Sequence, residues 1–217
     1  MRPHRARSSN RPAWALRVAA ATLLATAALA PVPAAASGPV GTFIQGLADE
    51  ALNQLSPDNI SQEEREKRFR QLLRANFDLQ RIARFVLGHH ARQAGPDQMH
   101  EFMALYEDLM TLTYARLFAQ YSGETFAVKR VTESEGGRYA MVMSEVRLPS
   151  DKDTVALDWQ VLTEGDRHAV VDLRVEGVSL AVTQRDEFGA VLDRHNGDIG
   201  ALLDNLRSRI AKLKEHR

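Results

Sequence analysis

Three groups of residues in this chain are of types that do chemistry. His89-His90, followed by Asp97, His100 and Glu101, offers metal-ligating side chains. A protein-bound zinc needs three or four ligands converging on one point. Adjacent histidines point to different sides of a helix or strand, and the spacing matches no hydrolytic or structural zinc pattern. A solvated loop is the reading that fits. Ser179, in Gly177-Val178-Ser179-Leu180-Ala181, has the look of a nucleophile elbow but lacks its second glycine. It stands where a helix begins, so its expected role is that of an N-cap. Asp158 and Asp172 resemble a pair of catalytic carboxylates only by residue type, because nothing in the sequence brings two acids together. Asp172 is expected to pair with Arg174 or Arg185 near the end of a sheet. No glycine-rich phosphate cradle follows a strand. No catalytic residue, metal or cofactor is expected.

The ends and the charge narrow the class. The first 36 residues hold Arg2, Arg5, Arg7, Arg11 and Arg17 and no acid, then an Ala/Leu/Val run from Val18 to Ala30, then Ala34-Ala35-Ala36 before Ser37. That layout is a secretory signal with an A-x-A cleavage site, and the 13-residue run is shorter than the roughly 20 residues of a bilayer span. The expectation is a cleaved signal over 1–36 and one domain over 37–217. Taking those five arginines from 28 Lys+Arg leaves 23 against 28 Asp+Glu, a net charge of about −5. An acidic domain is poorly suited to nucleic acid and to standing adsorption on anionic head groups. The chain contains no cysteine, so neither a lipid anchor on an N-terminal cysteine nor a disulfide framework is available.

The remaining pattern says which elements must position any site. Phe43, Ile44, Leu47, Ala48, Ala51, Leu52 and Leu55 form one helical stripe, stopped by Ser56-Pro57. Ser61 and Glu64 have capping-box spacing and open a charged helix with Phe69, Leu72 and Leu73 inward. Phe77 to Leu87 is a third helix closed by Gly88. Gly95-Pro96-Asp97 starts a helix of about 25 residues that no breaker interrupts before Ser122-Gly123. Its face, with Met99, Phe102, Met103, Leu105, Tyr106, Leu109, Leu112, Leu117 and Tyr121, is wider than one neighbouring helix covers. From 125 to 176 the period becomes two. Tyr139, Met141 and Met143 alternate with Ala140, Val142 and Ser144, and Val155, Leu157, Trp159 and Val161 with Ala156, Asp158 and Gln160. Turns at Gly136-Gly137, Pro149 to Lys152 and Glu164-Gly165-Asp166 make the strands antiparallel neighbours. Two helices, Ser179 to Arg194 and Ile199 to Lys214, close the chain. The predicted class is α+β: N-terminal helices and one long helix on a twisted four-stranded antiparallel sheet, with closing C-terminal helices and an apolar cavity between helices and sheet.

Phe77-Asp78-Leu79 with Ile82-Ala83, Val86-Leu87-Gly88, Gln98 to Phe102, Tyr114 to Tyr121 with Gly123, Leu157-Asp158-Trp159-Gln160, and Asp172 with Glu176-Gly177-Val178-Ser179 follow one another in a familiar order. In this the chain resembles the MlaC-like, toluene-tolerance family of periplasmic lipid-binding proteins. It departs from the family at His89-His90, where an aromatic residue is usual, and at Arg167-His168, where a tryptophan is expected. The resemblance implies a monomeric, non-catalytic carrier in the periplasm that shuttles phospholipid between an outer-membrane lipoprotein complex and an inner-membrane ABC transporter complex. A hopanoid or other polycyclic lipid is the alternative cargo. An adaptor that binds a partner helix and no lipid is the alternative class. For a lipid carrier the expected lining is Leu105, Leu109, Leu112, Leu117, Tyr121, Met141, Met143, Leu157, Trp159, Val171 and Val178, with flexible methionines suited to a wall that repacks. A one-residue register error would invert the strand contributions.

Overall fold

The computed structural model describes residues 38–149 and 154–215. The expected signal segment and its cleavage site lie outside the described residues, as does most of the turn expected at Pro149 to Lys152. Six α-helices, α1 (Pro39–Leu55), α2 (Gln62–Asn76), α3 (Leu79–Leu87), α4 (Pro96–Tyr114), α5 (Leu180–Arg194) and α6 (Ile199–Glu215), accompany one sheet. Its strands are β1 (Thr125–Glu133), β2 (Tyr139–Arg147), β3 (Thr154–Glu164), β4 (Arg167–Val175) and β5 (Val178–Ser179), antiparallel and in sequence order.

Two expectations need correction. The sheet has five strands rather than four, because Val178–Ser179 folds back on Arg174 and Val175. Two residues are too few to show an alternation in sequence. The tight return is possible because Glu176 (φ 51) and Gly177 (φ 79) both adopt the left-handed conformation of a type I′ turn. Glu176 tolerates that backbone through reciprocal bonds: its N–H donates to Ala156 O at 3.0 Å, and its carboxylate accepts the Ala156 N–H. The long helix is also shorter than expected, 19 residues, and tightens at Ala115–Gln120 into a 3-10 segment. Thr111, Thr113 and Tyr114, all weak helix formers, stand just before the change.

The apolar interior divides into two clusters. One is helical, built on Phe102, Tyr106, Leu109, Phe188, Leu192, Leu202 and Leu206 from α4, α5 and α6, with Phe102 edge-on to Phe188 at 5.9 Å. The other joins one face of the sheet, through Ala140, Val142, Trp159, Val161 and Val170, to Val40, Ile44 and Leu47 of α1. Burying three such helix side chains contributes on the order of 5–9 kcal/mol. Phe77 packs against both clusters. Its strand-like pairing with Val170, continued by Asp78 N–H to Val170 O at 3.0 Å, also covers part of the free edge of β4.

The helix ends are tied by side chains. Ser61 Oγ accepts the Glu64 N–H at 3.1 Å, as the capping-box spacing requires, while the Glu64 carboxylate turns to Arg68 at 2.8 Å. Arg65, only 4 % exposed, donates from Nε to Leu55 O at 2.7 Å and from Nη2 to Pro57 O at 3.2 Å. Arg68 Nη1 donates to Gln54 O at 3.1 Å. Two guanidinium groups of α2 thus satisfy the orphan carbonyls at the negative end of α1. Between α2 and α4, Arg70 Nη1 and Arg74 Nη2 grip Glu107 at 2.7 and 2.8 Å.

Arg65→Ala leaves buried carbonyls unpaired and is expected to cost about 2–3 kcal/mol of unfolding free energy in urea titration. The Glu107 carboxyl is raised by burial, but hydrogen bonds from Arg74 and Arg70 outweigh this and hold it below its ordinary 4.5. A depressed carboxyl stabilises the fold above its unfolded pKa and loses that contribution as pH falls through the folded value. Glu107→Gln should therefore flatten the fall in urea midpoint as pH drops from about 5 to about 3.

Candidate functional site

The α1-facing side of the sheet concentrates apolar surface where a site can form. In register, Val142 lies opposite Trp159 and Trp159 opposite Leu173, and the β3–β4 pairing shifts between Gln160 and Val161 so that Val161 meets Val170. These residues share the face, with Phe126 of β1 edge-on to the Trp159 ring at 6.3 Å. Ser144 is the buried polar side chain on this face, 2 % exposed. Its hydroxyl accepts the Trp159 indole N–H at 2.9 Å and donates to Leu157 O at 2.9 Å. With both demands met, the serine adds no free polar group to the surface. At the rim, Phe43 of α1 stands 5.7 Å from the His168 ring, whose Nδ1 is 2.9 Å from Thr163 Oγ1. Such a surface is suited to exchanging contacts with hydrocarbon.

The expected lining residues do not all meet here. Leu157 and Trp159 are on the face. Leu109 and Leu112 are buried in the helical cluster, with Leu105 packed against it. Leu117, 54 % exposed, and Tyr121, 36 % exposed, lie in and just after the 3-10 segment that packs on α1 and α2. Met141 and Met143 pair with Gln160 and Asp158 and so occupy the opposite face of the sheet, where Met143 is 38 % exposed. Val171 is the residue passed over where the register shifts, and Val178 is 60 % exposed at the β4–β5 turn. Sequence alternation found both phases of β2 but not which one faces α1. The small residues Ala140, Val142 and Ser144 do, because a helix packs closely on them.

The residues of chemical type have structural roles. Ser179 Oγ caps α5 by accepting the Val182 N–H at 3.0 Å. Asp172 Oδ1 accepts the Ala181 N–H at 3.2 Å, and its other oxygen lies 3.8 Å from Arg174 Nε. Arg185 instead covers the Phe85 ring at 5.1 Å. His90 is buried in a 3-10 segment, Gly88–Arg92, rather than in a solvated loop, with its ring tilted against that of His89 and the centroids 3.8 Å apart. Among the described residues, no group of three or more His, Asp or Glu converges as metal ligands. Burial pushes the Tyr106 phenol well above its ordinary pKa, so it stays neutral and donates to Gln184 Oε1.

The profile of the MlaC protein family matches residues 45–208 of the 217. The chain belongs to the MlaC family. Among solved structures, the phospholipid-binding protein from Ralstonia solanacearum, in complex with a phospholipid, is similar with a TM-score of 0.73 and 22 % identity, over 80 % of this chain and 97 % of that one. At that identity the likeness is one of fold. In this MlaC-family chain the matched region takes in the whole sheet and all but the ends of α1 and α6.

Ser144→Ala leaves the Trp159 N–H buried without a partner and is expected to cost about 1–3 kcal/mol. Urea unfolding followed through Trp159 emission, in protein lacking the N-terminal segment that holds Trp14, measures it; an unchanged midpoint would mean that the hydroxyl does not carry the indole.

Proposed function

We propose that this protein is a non-catalytic carrier of phospholipid in the periplasm, exported on residues 1–36 and working as the domain 37–217. Membership of the MlaC family carries the reading. The fold shared with a protein whose structure holds a phospholipid, and the apolar Trp159 face, support it. Carrying a two-chain lipid bare through water would expose on the order of 30 methylenes, which at about 0.8 kcal/mol each exceeds 20 kcal/mol. Two such chains lie against the Trp159 face, between the sheet and the helices, with Leu157, Trp159, Phe126 and Leu173 as sheet contacts and Leu117 and Tyr121 at the margin.

No covalent step is required. The carrier docks in turn on an outer-membrane lipoprotein complex and on an inner-membrane ABC transporter complex, and the lipid passes by exchanging one apolar enclosure for another. Direction comes from the affinities of those partners or from the transporter's ATP hydrolysis, since a carrier shifts an equilibrium only by its differential affinity.

Leu157→Arg places a charge on the proposed lipid face, whereas Met143→Arg places one on the opposite face. Phosphate analysis of organic extracts from the folded variants should show lipid content falling severalfold for Leu157→Arg and unchanged for Met143→Arg. Equal content in both would put the lipid elsewhere.

A further inference from the structure

Resting on the carrier reading, we infer that α1 is a strap: it stays hinged at its C-terminal end while its N-terminal half lifts from the sheet to admit acyl chains. The two ends of this helix are held by different kinds of contact. At the C-terminal end Leu55 is fully buried, and Arg65 and Arg68 bind the carbonyls of Gln54, Leu55 and Pro57 at 2.7 to 3.2 Å. Those directional bonds persist only while α2 and the end of α1 keep their geometry. Toward the sheet, α1 offers Val40, Phe43, Ile44 and Leu47. Among the described residues, the one polar tie between α1 and a strand is the Val128 N–H to Gln45 Oε1, at 3.3 Å. Gly38, at the helix start, supplies no side-chain cap. Gly46, with open space around its Cβ position, lowers the propensity of the middle of the helix.

The division of the core makes such a movement local. No residue of α1 belongs to the helical cluster of α2 to α6. Lifting α1 therefore uncovers the Trp159 face and leaves that cluster packed. Apart from the Gln45–Val128 bond, the contacts of α1 with the sheet are non-directional apolar ones, the kind that lipid tails replace in kind. The other polar contacts of α1 with its neighbours, those from Arg65 and Arg68, sit at the hinge. Substitution of one hydrocarbon cover for another is what couples lipid entry to strap opening.

Because the chain has no cysteine, Gln45→Cys with Val128→Cys gives a unique pair that a short bis-methanethiosulfonate reagent joins after folding and dithiothreitol releases. Delipidated protein is mixed with phosphatidylcholine vesicles carrying self-quenched fluorescent phosphatidylethanolamine. The bridged protein is expected to take up lipid about tenfold more slowly than the same protein after reduction. Uptake by the bridged form within about twofold of the reduced form overturns the strap and leaves the carrier reading intact. If wild-type protein takes up no lipid at all, the carrier reading falls and the strap falls with it. As a second measure on the unmodified chain, amide hydrogen exchange at Ile44 to Ala48 should outpace that at Leu202 to Leu206 of α6 in delipidated protein. Equal protection of the two segments also contradicts the strap.

Discussion

An antiparallel sheet with one apolar face must cover it, and here the main cover is α1, a helix that packs on α2 but contributes no residue to the helical cluster. From the contact between α1 and the Trp159 face the other features follow. β2 has to present its small residues so that the helix can approach. Ser144 has to saturate the Trp159 indole so that no polar group is stranded beneath the helix. Arg65 and Arg68 have to hold the end of α1, because the rest of its seat is apolar but for the Gln45–Val128 bond. Even Phe77, between α2 and α3, serves this contact by bridging the sheet cluster to the helical one and covering part of the edge of β4.

Much of the secondary structure was legible because its signals are local. Ser61 and Ser179 sit at helix starts with the hydroxyl on the expected N–H groups. Gly136-Gly137 and Glu164-Gly165-Asp166 fall at hairpin turns, where short connections leave few alternatives to antiparallel pairing. Asp172 finds Arg174, one of its two expected partners, but its closer bond is to the first turn of α5, a contact that only folding creates. β5 was invisible because two residues carry no period, and the early tightening of α4 because the apolar stripe continues unbroken through Leu117.

The candidate site was less legible than the fold, for a physical reason. A strand that alternates supplies two candidate faces, and hydropathy favours the phase with larger side chains. For β3 that choice gives Leu157 and Trp159, which face α1. For β2 it gives Met141 and Met143, which face away, because close packing against a helix selects for small residues rather than for greasy ones. Likewise His89-His90 reads as a polar loop in sequence, yet His90 fills space beside Gln93 and Gly197. Burial of polar side chains such as His90 and Arg65 depends on partners distant in sequence or on chain geometry, and no window of residues records it.

In a lipid carrier the apolar face opposite α1 exists to hold a lipid rather than only to stabilise the fold. Native mass spectrometry of the protein purified from the periplasm, followed by identification of the lipid in an organic extract, tests it most directly. The expected result is a folded protein whose mass exceeds that of the chain by one phospholipid, or two. A protein that is empty as isolated and stays empty after incubation with phospholipid vesicles would contradict it and make the Trp159 face an ordinary core.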